Sequence, residues 1–141
     1  MSIAKVLGIE TEYGIISLGV DSSPVTSSSL LINSYVSRFD STIGWDFVAE
    51  KPGVDARGFS LDDVFPQDIE MNMVNTVLTN GARYYVDHAH PEVSTPECRT
   101  ASEAVLFDRA GEEIIRQSML AAKRVLPDGA ELVAYKNNSD G

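Results

Sequence analysis

From Val6 to Ser17 the chain alternates. Ile9, Thr11, Tyr13 and Ile15 fall on one side, and Glu10, Glu12 and Gly14 on the other. That is the period-2 pattern of a strand with one polar face. Asp21–Ser29 is serine-rich, contains Pro24, and reads as a loop ending in a helix cap. Leu30, Leu31, Ser34 and Tyr35 predict a short helix reaching about Phe39. From Asp40 to about Ile69 no period is sustained. Gly44, Pro52, Gly53, Gly58 and Pro66 stand among many charges there, with one buried-looking aromatic, Trp45. A stretch of this kind in a domain is a functional or a disordered insert.

Asn72–Thr79 predicts a short helix leading into the Asn80-Gly81 turn, and Tyr84–Asp87 predicts a second strand. Thr100-Ala-Ser-Glu103 is a capping box that opens the strongest helix of the chain. Its apolar stripe is Leu106, Ala110, Ile114, Ile115, Met119, Ala122 and Leu126, and Pro127-Asp-Gly129 ends it. Glu131–Tyr135 reads as a strand followed by a polar loop, Lys136–Gly141. Nothing in the sequence covers that last strand, so a fragment is expected. Strand, helix, strand, long helix, strand is the order of a mixed α/β domain with helices on one face of a sheet.

Composition narrows the partners. A chain of 141 residues is about one domain by the usual prior of roughly 100–200 residues. Its 43% hydrophobic and 23% charged residues allow a core. The net charge of −10, with no Lys/Arg cluster, argues against nucleic acid and anionic membrane as partners. Cys98 is the single cysteine, so no intrachain disulfide can form, which suits a reducing cytosol. It is either a nucleophile or a buried structural thiol. No secretory pattern is visible in Met1–Leu7, and no apolar run approaches the ~20 residues of a membrane span. The expected localisation is cytoplasmic.

Candidate chemistry gathers in two segments. Side chains two apart on a strand share a face, so Glu10 and Glu12 point together, as do Arg83, Tyr85 and Asp87. Paired carboxylates on one face repel unless a cation or donor sits between them, and hard cations such as Mg²⁺ prefer carboxylate oxygens. The alternative is a solvated strand edge. Glu92 follows His88-Ala-His90-Pro and would meet Glu10 above the sheet if the two strands were neighbours, with the Tyr85 hydroxyl close by. His88 and His90 admit a zinc reading or a hydrogen-bonded structural one. Asp87, at a strand end beside Arg83, is either a catalytic acid or base or a partner of that arginine or of the turn. Neither glycine-rich phosphate loop is present, and no nucleophile elbow is visible. A nucleotide would have to lie on a sheet, held by Arg83 and metals.

Gly8-Ile-Glu10-Thr-Glu12-Tyr-Gly14 and Asn80-Gly-Ala-Arg83-Tyr-Tyr85-Val-Asp87-His-Ala-His-Pro-Glu92 resemble the Pup ligase/depupylase family, which is related to carboxylate-amine ligases of the glutamine synthetase type. Pro96-Glu-Cys98, Asp108-Arg-Ala-Gly-Glu112 and Tyr135-Lys-Asn-Asn138 extend the resemblance through the second half. Within the family, Val86-Asp-His-Ala-His-Pro-Glu92 is more similar to the depupylase branch than to the ligase branch. Trp45-Asp46 and Asp55-Ala-Arg-Gly-Phe59 look like the depupylase-specific loop.

The resemblance implies a glutamine synthetase-like active-site sheet, mixed or antiparallel, with helices packed on one face. Residues 1–141 would be the N-terminal part of a catalytic domain, with a flexible insert at about 40–69. The implied activity is deamidation of the C-terminal Gln of Pup to Glu and cleavage of the isopeptide bond between Pup and a substrate lysine. The implied cofactors are Mg²⁺ and ATP, or ADP with phosphate, without net nucleotide turnover. Glu10, Tyr85 and Glu92 would bind the metal, Arg83, Ser94 and Thr95 the nucleotide, and Asp87 would be the catalytic carboxylate. A further metal-binding histidine of the family is expected beyond Gly141, so this chain alone would be inactive. The alternatives are a Pup–protein ligase and a noncatalytic Pup- or proteasome-associated binding module.

Overall fold

The alternating N-terminal segment divides at Tyr13. In the computed structural model, which describes residues 5–40, 43–44 and 74–136, the elements run β1 (Glu10–Glu12), β2 (Gly14–Leu18), α1 (Pro24–Val36), β3 (Ile43–Gly44), β4 (Asn75–Val77), β5 (Arg83–Asp87), β6 (His90–Ser94), α2 (Ala101–Ala122) and β7 (Glu131–Tyr135). β1 pairs with β6, Glu12 opposite Glu92, whereas β2 pairs with β7, Gly14 opposite Tyr135. The single strand expected from the alternation is therefore two strands in two sheets. Tyr13 turns the corner, its backbone N–H donating to Pro91 O at 2.9 Å. Tyr13 and Ile15 are still both buried, because alternation reports which face a side chain takes and not which strand lies alongside.

The larger sheet has the order β1-β6-β5-β4-β3, and every pairing in both sheets is antiparallel. One face carries Tyr84, Val86 and Val93, which join Leu31 and Ile32 of α1 and Ile115 of α2 in the core. Burying one such aliphatic side chain is worth roughly 1.5–3 kcal/mol. The helices thus cover one face, as expected, and β5 and β6 turn Arg83, Tyr85, Asp87, Glu92 and Ser94 to the other.

α1 starts earlier than the serine run suggested. The Ser23 hydroxyl caps it, accepting from Thr26 N at 3.2 Å, and Pro24 sits where a missing N–H costs nothing. Buried Ser27 and Ser28 are satisfied within the fold: Ser27 Oγ lies 2.7 Å from Ser17 Oγ, and the Ser28 hydroxyl donates to Ala89 O at 2.6 Å.

The helix expected at Asn72–Thr79 is a strand where it is described. Asn75–Val77 pairs with β5 through a loop closed by Leu78 N–H donating to Ala82 O at 2.7 Å, with Gly81 at φ 86°. A turn followed by a left-handed glycine joins hairpin strands, and β-branched Thr76 and Val77 suit a pleated sheet better than a helix. Of the stretch without a period, Ile43–Gly44 forms the edge strand β3; Trp45 and the remainder of the insert lie outside the described residues.

The Thr100 half of the capping box forms, and Glu103 bonds one residue further back than the N-cap. Thr100 Oγ1 accepts from Glu103 N at 3.1 Å, while Glu103 reaches back to Arg99 N at 2.7 Å. The fully buried line of α2 is Ala104, Gly111, Ile115, Ser118 and Ala122. Of the expected stripe, Ile115 and Ala122 are in the core and Ile114, Met119 and Leu126 pack against it, although the helix ends at Ala122, before Leu126. Leu106 is 65% exposed. Small residues occupy the seam because the helix runs close over β6: a Cβ at Gly111 would lie 3.1 Å from Val93 Cγ1. At the open end of the β2–β7 pair, Gly19 adopts φ 72°, and a Cβ there would meet Gly129 O at 2.6 Å. Among the described residues no helix is long and apolar enough to cross a membrane.

Candidate active site

The face of the larger sheet away from the helices is acidic and hydroxyl-rich. β6 lies between β1 and β5, so Glu92 stands beside Glu12 of β1 and Tyr85 of β5. Glu10 and Glu92 meet through Tyr85: its hydroxyl lies 2.6 Å from Glu92 Oε1 and 3.0 Å from Glu10 Oε1. Ser94 Oγ lies 3.1 Å from the same hydroxyl and donates to Glu10 Oε1 at 3.0 Å.

These contacts are short of protons. Tyr85 and Ser94 bring one hydroxyl proton each to four contacts among themselves and two carboxylates. The surplus of acceptor oxygens leaves a place for a proton or a cation. The electrostatics agree. Glu92 is 7% exposed, and burial first, then the nearby Glu10, Asp87 and Glu12, pushes its carboxyl up to about 7 against the hydrogen bond from Tyr85. Burial, with the hydrogen bond to Glu92, pushes the Tyr85 phenol up as well. A divalent cation would remove the cost of crowding these carboxylates.

Glu10, Glu92 and Tyr85 offer hard oxygen donors of the kind Mg²⁺ takes, and they converge. Glu12 is engaged with His90, its Oε1 against His90 Nδ1, and among the described residues no group of three or more His, Cys, Asp or Glu is placed to hold a metal ion. His88 and His90 do not form a chelate: His88 sits in the β5–β6 turn with Nδ1 3.3 Å from Asp87 Oδ1, and His90 faces Glu12.

Arg83 lies over Tyr85, its Cζ 3.9 Å from the ring centroid, and its Nε donates to Asn75 Oδ1 at 3.0 Å. Asp87 ends β5 on the same face, half-buried and paired with His90 in the sheet. Of the predicted residues, Glu10, Arg83, Tyr85, Asp87, Glu92 and Ser94 share this face. Thr95 does not join them: its hydroxyl accepts from Ile9 N at 2.9 Å. Asn75 is the residue sequence reasoning missed. The helix expected at Asn72–Thr79 hides it, although Thr76-Val77 before an Asn-Gly turn is itself a hairpin signal.

Cys98 is fully buried, its backbone bridged to Leu7 and its thiol 3.1 Å from Pro96 O, and it lies off the acidic face. A groove of about 420 Å³ bounded by Tyr35, Phe39, Leu78 and Ile114 belongs to the helix side and carries none of these groups.

An antiparallel sheet backed by helices on one side, with a carboxylate-rich face open on the other, is the class of structure at hand. A family model described as Pup-ligase protein matches residues 5–141, and the chain belongs to that family. It is 43% identical to a depupylase from Acidothermus cellulolyticus and 41% identical to a Pup deamidase/depupylase from Mycolicibacterium smegmatis, over 96% and 97% of this chain. A Pup–protein ligase from Bifidobacterium longum is 32% identical over 96% of the chain. The chain spans 29% of the length of the first two relatives and 23% of the third. The fold matches a chain in the crystal structure of the complex between the prokaryotic ubiquitin-like protein Pup and its ligase PafA, with a TM-score of 0.62 and 23% identity, over 96% of this chain and 22% of that one.

Proposed function

We propose that the chain is the N-terminal part of the catalytic domain of a cytoplasmic Pup deamidase/depupylase, with an insert at about 40–69. The observation that carries this reading is the convergence of Glu10, Tyr85 and Glu92 on one oxygen-rich point beside Arg83 and Asp87. The higher identity to depupylases than to the ligase, 41–43% against 32%, favours hydrolysis over ligation.

In this reading Glu10, Tyr85 and Glu92 hold Mg²⁺, which when bound supplies positive charge to orient phosphate oxygens. Arg83 and Ser94 face a nucleotide, ATP or ADP with phosphate, and Thr95 supports that end from the backbone side. Asp87 is the carboxylate that acts on the side-chain amide carbon, or on the water that attacks it. Water is consumed, the terminal Gln of Pup becomes Glu, and ammonia leaves; with a pupylated protein the leaving group is the lysine amine. The backing helices fix the strand that carries Asp87, which holds its carboxylate in position. The partners are Pup and pupylated proteins.

The test uses the complete protein with Pup ending in Gln, Mg²⁺ and ATP, and mass spectrometry of the Pup terminus. Conversion of Gln to Glu, lost in Asp87→Asn, is the expected result. Attachment of Pup ending in Glu to lysine would make the protein a ligase; neither activity would leave a Pup-binding module.

A further inference from the structure

Asn75 is buried on the acidic side of the sheet with half of its amide unused. It stands opposite Tyr85 in the β4–β5 pair, so the two side chains share a face with Arg83. It is 9% exposed. Its Oδ1 accepts from Arg83 Nε at 3.0 Å, which fixes the orientation of the amide, since a flip would set two donors against each other. The Nδ2 that remains is buried and has no hydrogen-bond partner among the described residues. A buried donor without an acceptor is costly, and folded proteins keep few of them.

We propose that Asn75 is a ligand-binding residue, its Nδ2 donating to an anionic phosphate oxygen that Arg83 also contacts. This rests on the nucleotide reading given above. The charge layout of the face supports it. Glu10, Glu12 and Glu92 lie on β1 and β6, toward one edge of the sheet, the Arg83–Asn75 donors lie on β5 and β4, and Asp87 stands at the far end of β5 from Arg83. A polyphosphate carrying a divalent cation fits that polarity, with the cation at the carboxylates and phosphate oxygens at the arginine and amide. An anion at the other end would meet carboxylates.

The rival account is that Asn75 does no more than orient Arg83. Asn75→Asp separates the two. Aspartate keeps the oxygen that accepts from Arg83 Nε, so an orienting role would be preserved. It replaces the amide donor with a second negative oxygen, so phosphate binding would be lost. The measurement is calorimetric titration of the complete protein with Mg²⁺–ATP, alongside the thermal midpoint of each nucleotide-free variant. The expected result is binding roughly ten- to a hundred-fold weaker in Asn75→Asp, with an unchanged midpoint. Asn75→Ala serves where the aspartate variant does not fold, with the same direction expected. Wild-type affinity in either folded variant overturns the assignment and leaves the nucleotide reading standing. Failure of the wild-type protein itself to bind Mg²⁺–ATP overturns both.

Discussion

Thr11 Oγ1 donates to Asp108 Oδ1 at 2.9 Å, joining β1 to α2 on the side away from Glu10 and Glu12. The other oxygen of Asp108 accepts from Lys136 Nζ at 2.6 Å, and Lys136 also reaches Glu112 at 3.0 Å. Both sheets are therefore fastened to α2 at one carboxylate. Burial alone would raise the Asp108 carboxyl, but hydrogen bonds from Lys136 and Thr11 outweigh it and hold the group below the ordinary value. A carboxyl lowered by folding stabilises above its unfolded value, and that contribution is lost as pH falls through the lower folded one. Asp108→Asn should cost about 1 kcal/mol at pH 7. Denaturant melts at pH 7 and at strongly acidic pH check this, and the gap between variant and wild type should close in acid.

Glu92 works in the opposite direction. Its folded value of about 7 lies above the ordinary 4.5, so cation-free protein is relatively more stable below the unfolded value and loses that advantage as pH rises through 7. Glu92→Gln removes the charge and keeps the shape. It should stabilise the cation-free protein at pH 8 by on the order of 1 kcal/mol, have little effect near pH 4, and weaken Mg²⁺ binding. Thermal melts at the two pH values, with and without Mg²⁺, would show it; a variant that is less stable at pH 8 would contradict the crowding argument.

Gly19 admits no substitute. Its φ of 72° disfavours any side chain, and a Cβ would press on backbone Gly129 O at 2.6 Å, which cannot swing aside as a side chain would. Gly19→Ala should destabilise by about 2–3 kcal/mol, read from the midpoint of urea unfolding.

The β5–β6 turn offers the reverse case. His88 and Ala89 take φ 43° and 73°, the paired left-handed geometry of a two-residue hairpin usually given to Asn-Gly. Ala89→Gly should therefore stabilise by about 0.5–1 kcal/mol. A loss of stability would mean that the flexibility added to the unfolded chain outweighs the relief.

Much of the site was legible because it rests on short-range geometry. Alternation put Glu10 with Glu12 and Arg83 with Tyr85 and Asp87, and the spacing Thr100 to Glu103 marked the start of α2. What stayed hidden depended on distant partners. Nothing local tells Tyr13 that its left and right neighbours pair with residues 92 and 135. The serines at 27 and 28 look like loop until Ser17 and Ala89 O satisfy them. Leu106 looks like core until the helix is seen to present Gly111 and Ser118 instead. Glu10 and Glu92 did meet, although β1 and β5 are not neighbours, because β6, which carries Glu92, lies between them and pairs with both.

The corner at Tyr13 also sets an order of assembly. β1 can find its partner once the chain has been made through Ser94, while β2, two residues further along, must wait for Glu131–Tyr135. Closing that long loop is slow compared with forming the local hairpins. During synthesis, then, the strand bearing Glu10 can be held at both ends, by Cys98 and Thr95 before it and by Pro91 at Tyr13, while β2 still lacks a partner, so the acidic face can form before the β2–β7 pair closes.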